Sequence, residues 1–479
     1  MNVGRDWAGG FGTATSSRRE IYGHDEDALA CPYLPLLRVA GALERQHRTV
    51  RVIDAQAERL SDAQVVDRVI EVGARDVVAS LSLPSLRGDL ALLARIKRAD
   101  PDLRLIAIGT VCKALPSEVL ETGVVDIAVR GDAEAVVPEL LEWRSGDGPP
   151  QVAGVSYAAN GAAVHVGPAR AIATAADLPP PAYHLAPMDR YVRQVDGRPM
   201  RFAPVATGLG CGFACGYYCP YPFGFGRRML LREPHAVVEE VARLATDLGV
   251  EFVIFRDQLF SAERDHAELV CKGLIESGGP VRWLCETRAD RVEPALLDLM
   301  RRAGCLAVHY GLESGDAEIF SRIAKPGATL DDMRRAVRET HRARLAAHLH
   351  VIVGLPNETW DSVRKTLHFV RDVRPDSVQV CLATPYPGTR MYADADERGL
   401  LLTRDWTRYT ANDPVMRTEH MSGEDLARAA HYLRDNWWKQ NLARRGLRRV
   451  ARIVRSWATP SGAAGQRQPP GPSGGAFSA

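Results

Sequence analysis

Between residues 31 and 145, short apolar runs alternate with stretches whose apolar positions recur every three to four residues. The runs TVRVIDA (49–55), DVVASLSL (76–83) and LRLIAIG (103–109) are apolar on both faces, while LALLARIKRADP (90–101) is amphipathic in the helical period. Strands of that kind, separated by helices, predict a parallel sheet covered on both sides, with a ligand crevice at the carboxyl ends of the strands. GVSYAANGAAV (154–164) then predicts a hairpin turning at Asn160 and Gly161. DLPPPAY (177–183) predicts a linker.

A second alternating series begins near residue 203. Its apolar runs are FAPVATGLG (202–210), EFVIFRD (251–257), RWLCETR (282–288), CLAVHYGLE (305–313), AAHLHVIVGLP (346–356) and SVQVCLATP (377–385). Six strands interleaved with helices predict an open barrel of about six βα units. Residues 400–457 have helical character, with Ser422 and Asp425 at capping-box spacing. The chain therefore divides into a loose N-terminus (1–30), a doubly wound domain (31–150), a linker (151–200), a partial barrel (201–400), a helical region (401–457) and a low-complexity tail (458–479).

Composition narrows the function classes. With 479 residues, 46% of them hydrophobic, the chain can bury two or three cores. A net charge of +2 gives no bulk electrostatic case for nucleic acid or a membrane surface. No apolar run approaches the length of a membrane span, and the N-terminus lacks the apolar segment of a signal peptide. The basic run LARRGLRRVARIVRSW (442–457) reads as the wet face of a terminal helix, with phosphate or lipid contact as the alternative. Nine cysteines, mostly scattered singly, predict a reducing, cytoplasmic setting.

Three of those cysteines are not scattered. CGFACGYYC (211–219) places Cys211, Cys215 and Cys219 with three residues in each gap, directly after a predicted strand. Gly208, Gly210, Gly212 and Gly216 would let the loop wrap closely around an inorganic core. Three thiolates on a 4Fe–4S cluster leave one iron open to a ligand. A zinc site would need a fourth ligand, for which Cys271 and Cys285 are the candidates; three unrelated buried cysteines are the remaining reading.

Alternate residues of a strand share a face. Glu286 and Arg288 therefore share one, as do His309, Gly311 and Glu313, then His348, His350 and Gly354, then Gln379 and Cys381, while Asp257 ends the second strand. A parallel barrel is apolar under its helices, so these polar residues are expected in the lumen, bound to something or to each other. Any one of the histidines could be a satisfied core residue; the set points to a site.

TGLGCGFACGYYCPYPFG (207–224) resembles the cluster loop of the radical S-adenosylmethionine (SAM) superfamily. WLCETRAD, VHYGLESGD, IVGLPNETW and TPYPGT resemble its later segments in the same order. The usual gaps are three and then two; here Tyr218 stands where the third cysteine normally falls and Cys219 follows. The resemblance implies that Cys211, Cys215 and Cys219 hold a 4Fe–4S cluster and that Tyr218, Glu286, Arg288, Glu313, Gly354, Leu355 and Pro356 contact SAM. Residues 31–145, with GVVDIAVRGDAEAVVPELL (123–141) as the best-matched stretch, resemble the cobalamin-binding domain of one subclass. The loop GTVCKALP (109–116), however, puts Val111, Cys112 and Lys113 where a corrin needs close backbone approach. The expectation is that cobalamin does not bind and the domain is a retained scaffold, with Cys112 as a cobalt ligand the alternative.

Within the superfamily, the cysteine spacing resembles the diol-dehydratases of apramycin (aminoglycoside) biosynthesis. That resemblance implies hydrogen abstraction from C4′ of a paromamine-like substrate and loss of the 3′-hydroxyl as water, leaving a 4′-keto-3′-deoxy product. It also implies a separate NADPH-dependent reductase and an external electron donor of flavodoxin or ferredoxin type, with no nucleic-acid or membrane partner. Asp257, His309, Tyr310, Glu313, His348 and His350 form the pool for the acid and base. Two other readings stand beside it: a cobalamin-dependent radical SAM methyltransferase, and a non-catalytic metal- or cluster-binding module.

Overall fold

The computed structural model describes residues 30–437 apart from 144–147, 196, 214, 216 and 323–326. The N-terminus before residue 30, the basic run 442–457 and the tail lie outside the described residues. The described residues as far as Arg434 form one compact unit.

The first sheet contains β1 (Asp76–Ser80), β2 (Arg104–Ile108), β3 (Ile127–Val129), β4 (Val155–Ala159) and β5 (Ala162–Val166), in that spatial order. β1 to β3 are parallel, and β4 and β5 add antiparallel strands at the edge. β2 is buried at all five positions: LIAI is an unbroken apolar run, as a central strand requires, and Arg104 is paired with Asp76. The hairpin turns at Asn160 (φ 51°) and Gly161 (φ 76°), two left-handed residues that match the twist of the flanking strands. The predicted strand at 49–55 does not join this sheet. Its end is drawn into a turn by the Asp54 carboxylate, which accepts the N–H groups of Gln56 (3.1 Å) and Ala57 (3.0 Å).

The second sheet is the half-barrel. β6 (Val192–Val195) pairs antiparallel with β7 (Arg198–Val205), which is followed by the small ladder of β8 (Gly208–Leu209) and β9 (Leu230–Leu231). Then come β10 (Phe252–Phe255), β11 (Arg282–Thr287), β12 (Cys305–Glu313), β13 (Ala346–Val353) and β14 (Ser377–Leu382). β7 and β10 to β14 lie side by side in chain order and are all parallel. This is the doubly wound domain followed by a partial (β/α)6 barrel that the periodicity implies.

Residues 151–200 are built into both sheets. They supply β4, β5 and β6, and a Cβ on Gly41 would sit 2.0 Å from the Pro180 carbonyl oxygen, so the proline run packs tightly on helix Leu34–Arg45. Of the described part of the predicted helical region, residues 423–437 after the capping box are helical. Ser422 and Asp425 bond reciprocally, Asp425 N–H to Ser422 Oγ at 3.1 Å and Ser422 N–H to Asp425 Oδ2 at 3.2 Å. Before them, Thr403, Asp405 and Thr410 bond to nearby backbone N–H groups and hold a single 3-10 turn at Trp406–Arg408 instead.

That segment also closes the seam between the two domains. Tyr409 and Val415 are buried in the core of the first domain, and the Trp406 indole N–H donates to Glu118 at 2.7 Å. Nearby, Lys113 Nζ donates to Asp132 (2.8 Å) and to the Gly224 carbonyl (2.5 Å). The carboxyl ends of the first sheet therefore face the loop that follows the cysteines. Among the described residues no helix is long and apolar enough to cross a membrane.

Candidate active site

A cavity of about 250 Å³ opens at the carboxyl ends of β11 to β14. Cys211, Cys215 and Cys219 line it, with Phe213 and Tyr218 from the same loop. Opposite stand Glu286, Thr287 and Arg288 of β11 and its end, His309, Gly311 and Glu313 of β12, His350 of β13, and Gln379 and Cys381 of β14. The loop is folded back sharply: Gly210 has φ 88°, and a Cβ there would lie 1.8 Å from the Arg228 carbonyl oxygen, so only glycine fits. A thiol-lined recess of this kind, with three donors on one loop, suits an iron–sulfur core. Burial, then the neighbouring thiols Cys215 and Cys211 among the further causes, pushes the free Cys219 thiol up to about 12, so its thiolate forms together with the metal. Cys271, Cys285 and Cys305 interact with one another and are buried, but none of them lines the cavity, which places the candidate fourth thiols elsewhere.

Charge is arranged around the cysteines. The Arg288 guanidinium lies 4.3 Å over the Phe213 ring and is clamped by both oxygens of Asp290 at 2.8 and 3.0 Å. Burial opposes its charge, but Asp290 and then Cys215 hold its pKa above the ordinary value. On the other side, the Tyr218 hydroxyl is pushed well up by burial, with the Glu313 carboxylate as the next cause. Glu313 itself sits at φ 61°, where β12 slips register against β13. This left-handed residue costs backbone energy and turns the end of the strand over the cavity.

The register explains why the lumen is polar. Glu286 pairs with His309, His309 with His348, and His348 with Ser377, a row across four adjacent strands. One layer up, Gly311 pairs with His350 and His350 with Gln379. His309 and His350 reach the cavity; His348 lies beneath and is 2% exposed.

Five further sequence candidates do not line the cavity. Asp257 is buried and does not line the cavity; its carboxylate accepts the N–H of Thr207 (3.0 Å to each oxygen), the Thr207 hydroxyl (2.9 Å) and the N–H of Gly208 (2.8 Å). It ends β7 at Val205 rather than at residue 210 by gathering the backbone that leads into the cysteine loop. Tyr310 points the other way along β12, where its hydroxyl meets Thr340 Oγ1 at 2.8 Å on helix Leu330–Arg342. Gly354, Leu355 and Pro356 form the turn behind the cavity: Gly354 has φ 102° against Ala383 and Leu426, and buried Leu355 belongs to a small apolar group against which Tyr218 packs. The sequence reading overlooked Phe213, Asp290, Ser377 and Glu358; the stacking and pairing that give them roles come from other segments.

Glu358 is 2% exposed and accepts the Gly354 N–H (3.1 Å) and the Ser362 hydroxyl (2.7 Å). Burial raises its pKa to about 7 from 4.5. The folded state therefore holds a proton that the unfolded chain releases, and stability falls as pH rises from about 4.5 to about 7, then levels off. Glu358→Gln is expected to remove that loss, on the order of 3 kcal/mol. The check is the difference between the two proteins' urea midpoints at about pH 5 and about pH 8.

A half-barrel with a three-cysteine loop at its mouth and a doubly wound domain before it defines a cluster-bearing α/β enzyme class. The profile described as Radical SAM superfamily matches residues 205–370, and that of the B12 binding domain matches residues 28–141. The chain is 30% identical over 400 residues, 83% of this chain and 85% of the other, to the "Uncharacterized methyltransferase PH0819" of Pyrococcus horikoshii. Among solved structures it resembles the radical S-adenosylmethionine methyltransferase TsrM of Kitasatospora setae with cobalamin and [4Fe-4S] cluster bound (TM-score 0.68, 17% identity, 84% and 88% of the two chains). It also resembles the cobalamin-dependent S-adenosylmethionine radical enzyme OxsB with aqua-cobalamin and S-adenosylmethionine bound (TM-score 0.70, 14% identity, 84% and 64%). The chain belongs to the radical SAM superfamily, in the group whose barrel follows a B12-binding domain. That match corrects the expectation of a domain without a cobalamin role. The bulk at Val111 and Cys112 that prompted it is turned inward: both side chains are buried in the domain core.

Proposed function

We propose that the chain is a radical SAM methyltransferase that uses cobalamin carried by its N-terminal domain. The observation that carries this reading is the convergence of Cys211, Cys215 and Cys219 with Glu286, Arg288 and Glu313 in one cavity, in a chain whose first domain matches the B12-binding family. The relative named a methyltransferase and the cobalamin-bound neighbours support it. The same relatives overturn the expected diol dehydration, and the reductase invoked to complete that reaction has no part in the proposal.

When bound, the cluster supplies the electron that cleaves SAM, and cobalamin supplies a carrier for the methyl group. The chain's own residues bind and orient. Glu286 and Glu313 provide negative charge for the amino group and sulfonium of SAM, Arg288 positive charge for its carboxylate, and Tyr218 an aromatic face for adenine. His309, His350 and Gln379 make the inner wall polar, which suits an acceptor bearing hydroxyl or amine groups. An external one-electron donor of flavodoxin or ferredoxin type completes the system.

Cobalamin belongs at the carboxyl ends of β1 to β3. A larger cavity of about 440 Å³ lies at the opposite end of that sheet, around Arg75 and Asp76, and is not the corrin seat. At the proper end Thr110 lies against Gly224, and Tyr386 and Trp406 pack against the domain core. Thr110, Lys113 and Gly224 would border a corrin held there, and no step is derived through it. Segment 402–415 is joined to the first domain by the Trp406–Glu118 bond and by Tyr409 packing.

The test is anaerobic reconstitution of the full chain with iron, sulfide and hydroxocobalamin, followed by desalting. About one corrin per chain is expected to remain, seen in the visible spectrum, and addition of dithionite and methyl-labelled SAM should yield S-adenosylhomocysteine. Protein that retains no corrin, or that releases 5′-deoxyadenosine without ever losing the methyl label from SAM, overturns the proposal.

A further inference from the structure

Below the cysteine loop, the half-barrel holds a second constellation of ligand atoms. The His309 and His348 rings lie 4.4 Å apart, His348 and His350 4.8 Å, and His309 and His350 5.5 Å, between centroids. One nitrogen from each ring falls within 4.8 Å of the others, the one such group of three found among the described residues. The sheet register produces it. His309 and His348 are cross-strand partners on adjacent parallel strands, and His350 follows two residues after His348 on the same face.

The rings are set up as ligands. His348 Nδ1 is hydrogen-bonded to Ser377 Oγ, which fixes the ring and leaves Nε2 for the interior. The Nε2 atoms of His348 and His350 are both buried without a protein partner, an arrangement that folded chains rarely tolerate without a ligand. Arg193 places a positive charge near the group; Glu286, next to His309 in the same cross-strand row, places a carboxylate to offset it.

We propose that His309, His348 and His350 form a binding site for a divalent transition ion of the zinc class, separate from the cysteine loop. Three imidazoles with one open position are the donor set of such ions in reactive rather than structural sites. In a tetrahedral site the nitrogens would draw in to about 3.3 Å from one another, with the His309 and His350 rings turning toward a His348 ring held by Ser377. Because His309 and His350 line the cavity while His348 lies beneath it, the open position faces the substrate space. There the ion would take a hydroxyl, amine or carboxylate oxygen of the acceptor and hold it below the cluster. The site stands on the histidines alone and does not depend on methyl transfer or on cobalamin.

The test uses full-length protein with its iron–sulfur cluster assembled, dialysed against micromolar zinc and then against buffer. Elemental analysis is expected to find about one zinc per chain in addition to the iron, and the zinc K-edge spectrum should be fitted by nitrogen and oxygen alone. His348→Ala and His350→Gln should each abolish that zinc, and Ser377→Ala should weaken it by about tenfold. Cys211→Ala should leave it in place while losing iron. His350→Gln conserves size, and a melting temperature near that of the parent protein shows that it is folded, so it decides the matter if His348→Ala does not fold. Absence of zinc from the parent protein, zinc retained in His350→Gln, or sulfur in its first shell would overturn the proposal.

Discussion

Cys219→Ala is expected to leave the anaerobically reconstituted protein with about tenfold less iron or lower, no cluster absorbance and no SAM cleavage. The cavity receives three thiols from one loop, and Cys219 is held there by its own backbone, whose N–H reaches the Cys215 carbonyl at 3.4 Å. Of the described cysteines outside the loop only Cys381 lines the cavity, on the opposite wall at β14. Cys285 alternates with Glu286 on β11 and therefore faces away from the lumen, and Cys271 and Cys305 lie with it. Cys271→Ala serves as the control and should keep its iron. A Cys219→Ala protein with full iron content would show that another residue completes the ligand set.

Asp257→Ala is expected to destabilise the folded chain by on the order of 3–6 kcal/mol, because it strands the N–H groups of Thr207 and Gly208 and the Thr207 hydroxyl in a buried site. The melting temperature should fall by roughly 5 °C or more. Iron loading should fall with it, since the freed backbone runs directly into Cys211. Asp257→Asn should show an intermediate loss, because the amide presents one donor where the carboxylate offered two acceptors. Thermal melts and iron content of the three proteins make the check. A variant with parental melting and iron content but no turnover would instead return Asp257 to the role of a proton-transfer group.

Much of the site was legible because it depends on strand alternation. Knowing that Glu286, His309, His348 and His350 occupy inward positions required only the period of two and an apolar exterior. The same rule misplaces residues at strand ends, where alternation stops. Asp257 lies beyond β10, and there a carboxylate is as useful for tying a turn as for chemistry. Tyr310 was placed in the acid–base pool although its neighbours His309 and Gly311 take the inward face; its hydroxyl finds Thr340 under a helix. The helical period over 401–421 was misleading because Thr403, Asp405 and Thr410 offer the backbone nearer partners than a helix does.

By itself the sequence determined the layering, the order of the strands and the three-thiol loop, since these follow from local periodicity and from cysteine spacing within nine residues. Only the tertiary structure decided what those residues meet. Cross-strand register brought three histidines from two strands to one point, the Asp290 clamp and the Phe213 ring aimed Arg288 at the cysteines, and segment 402–415 came to lie over the first domain. Such contacts join residues far apart along the chain, and their geometry is set by how sheets and loops pack rather than by any nearby pattern of side chains.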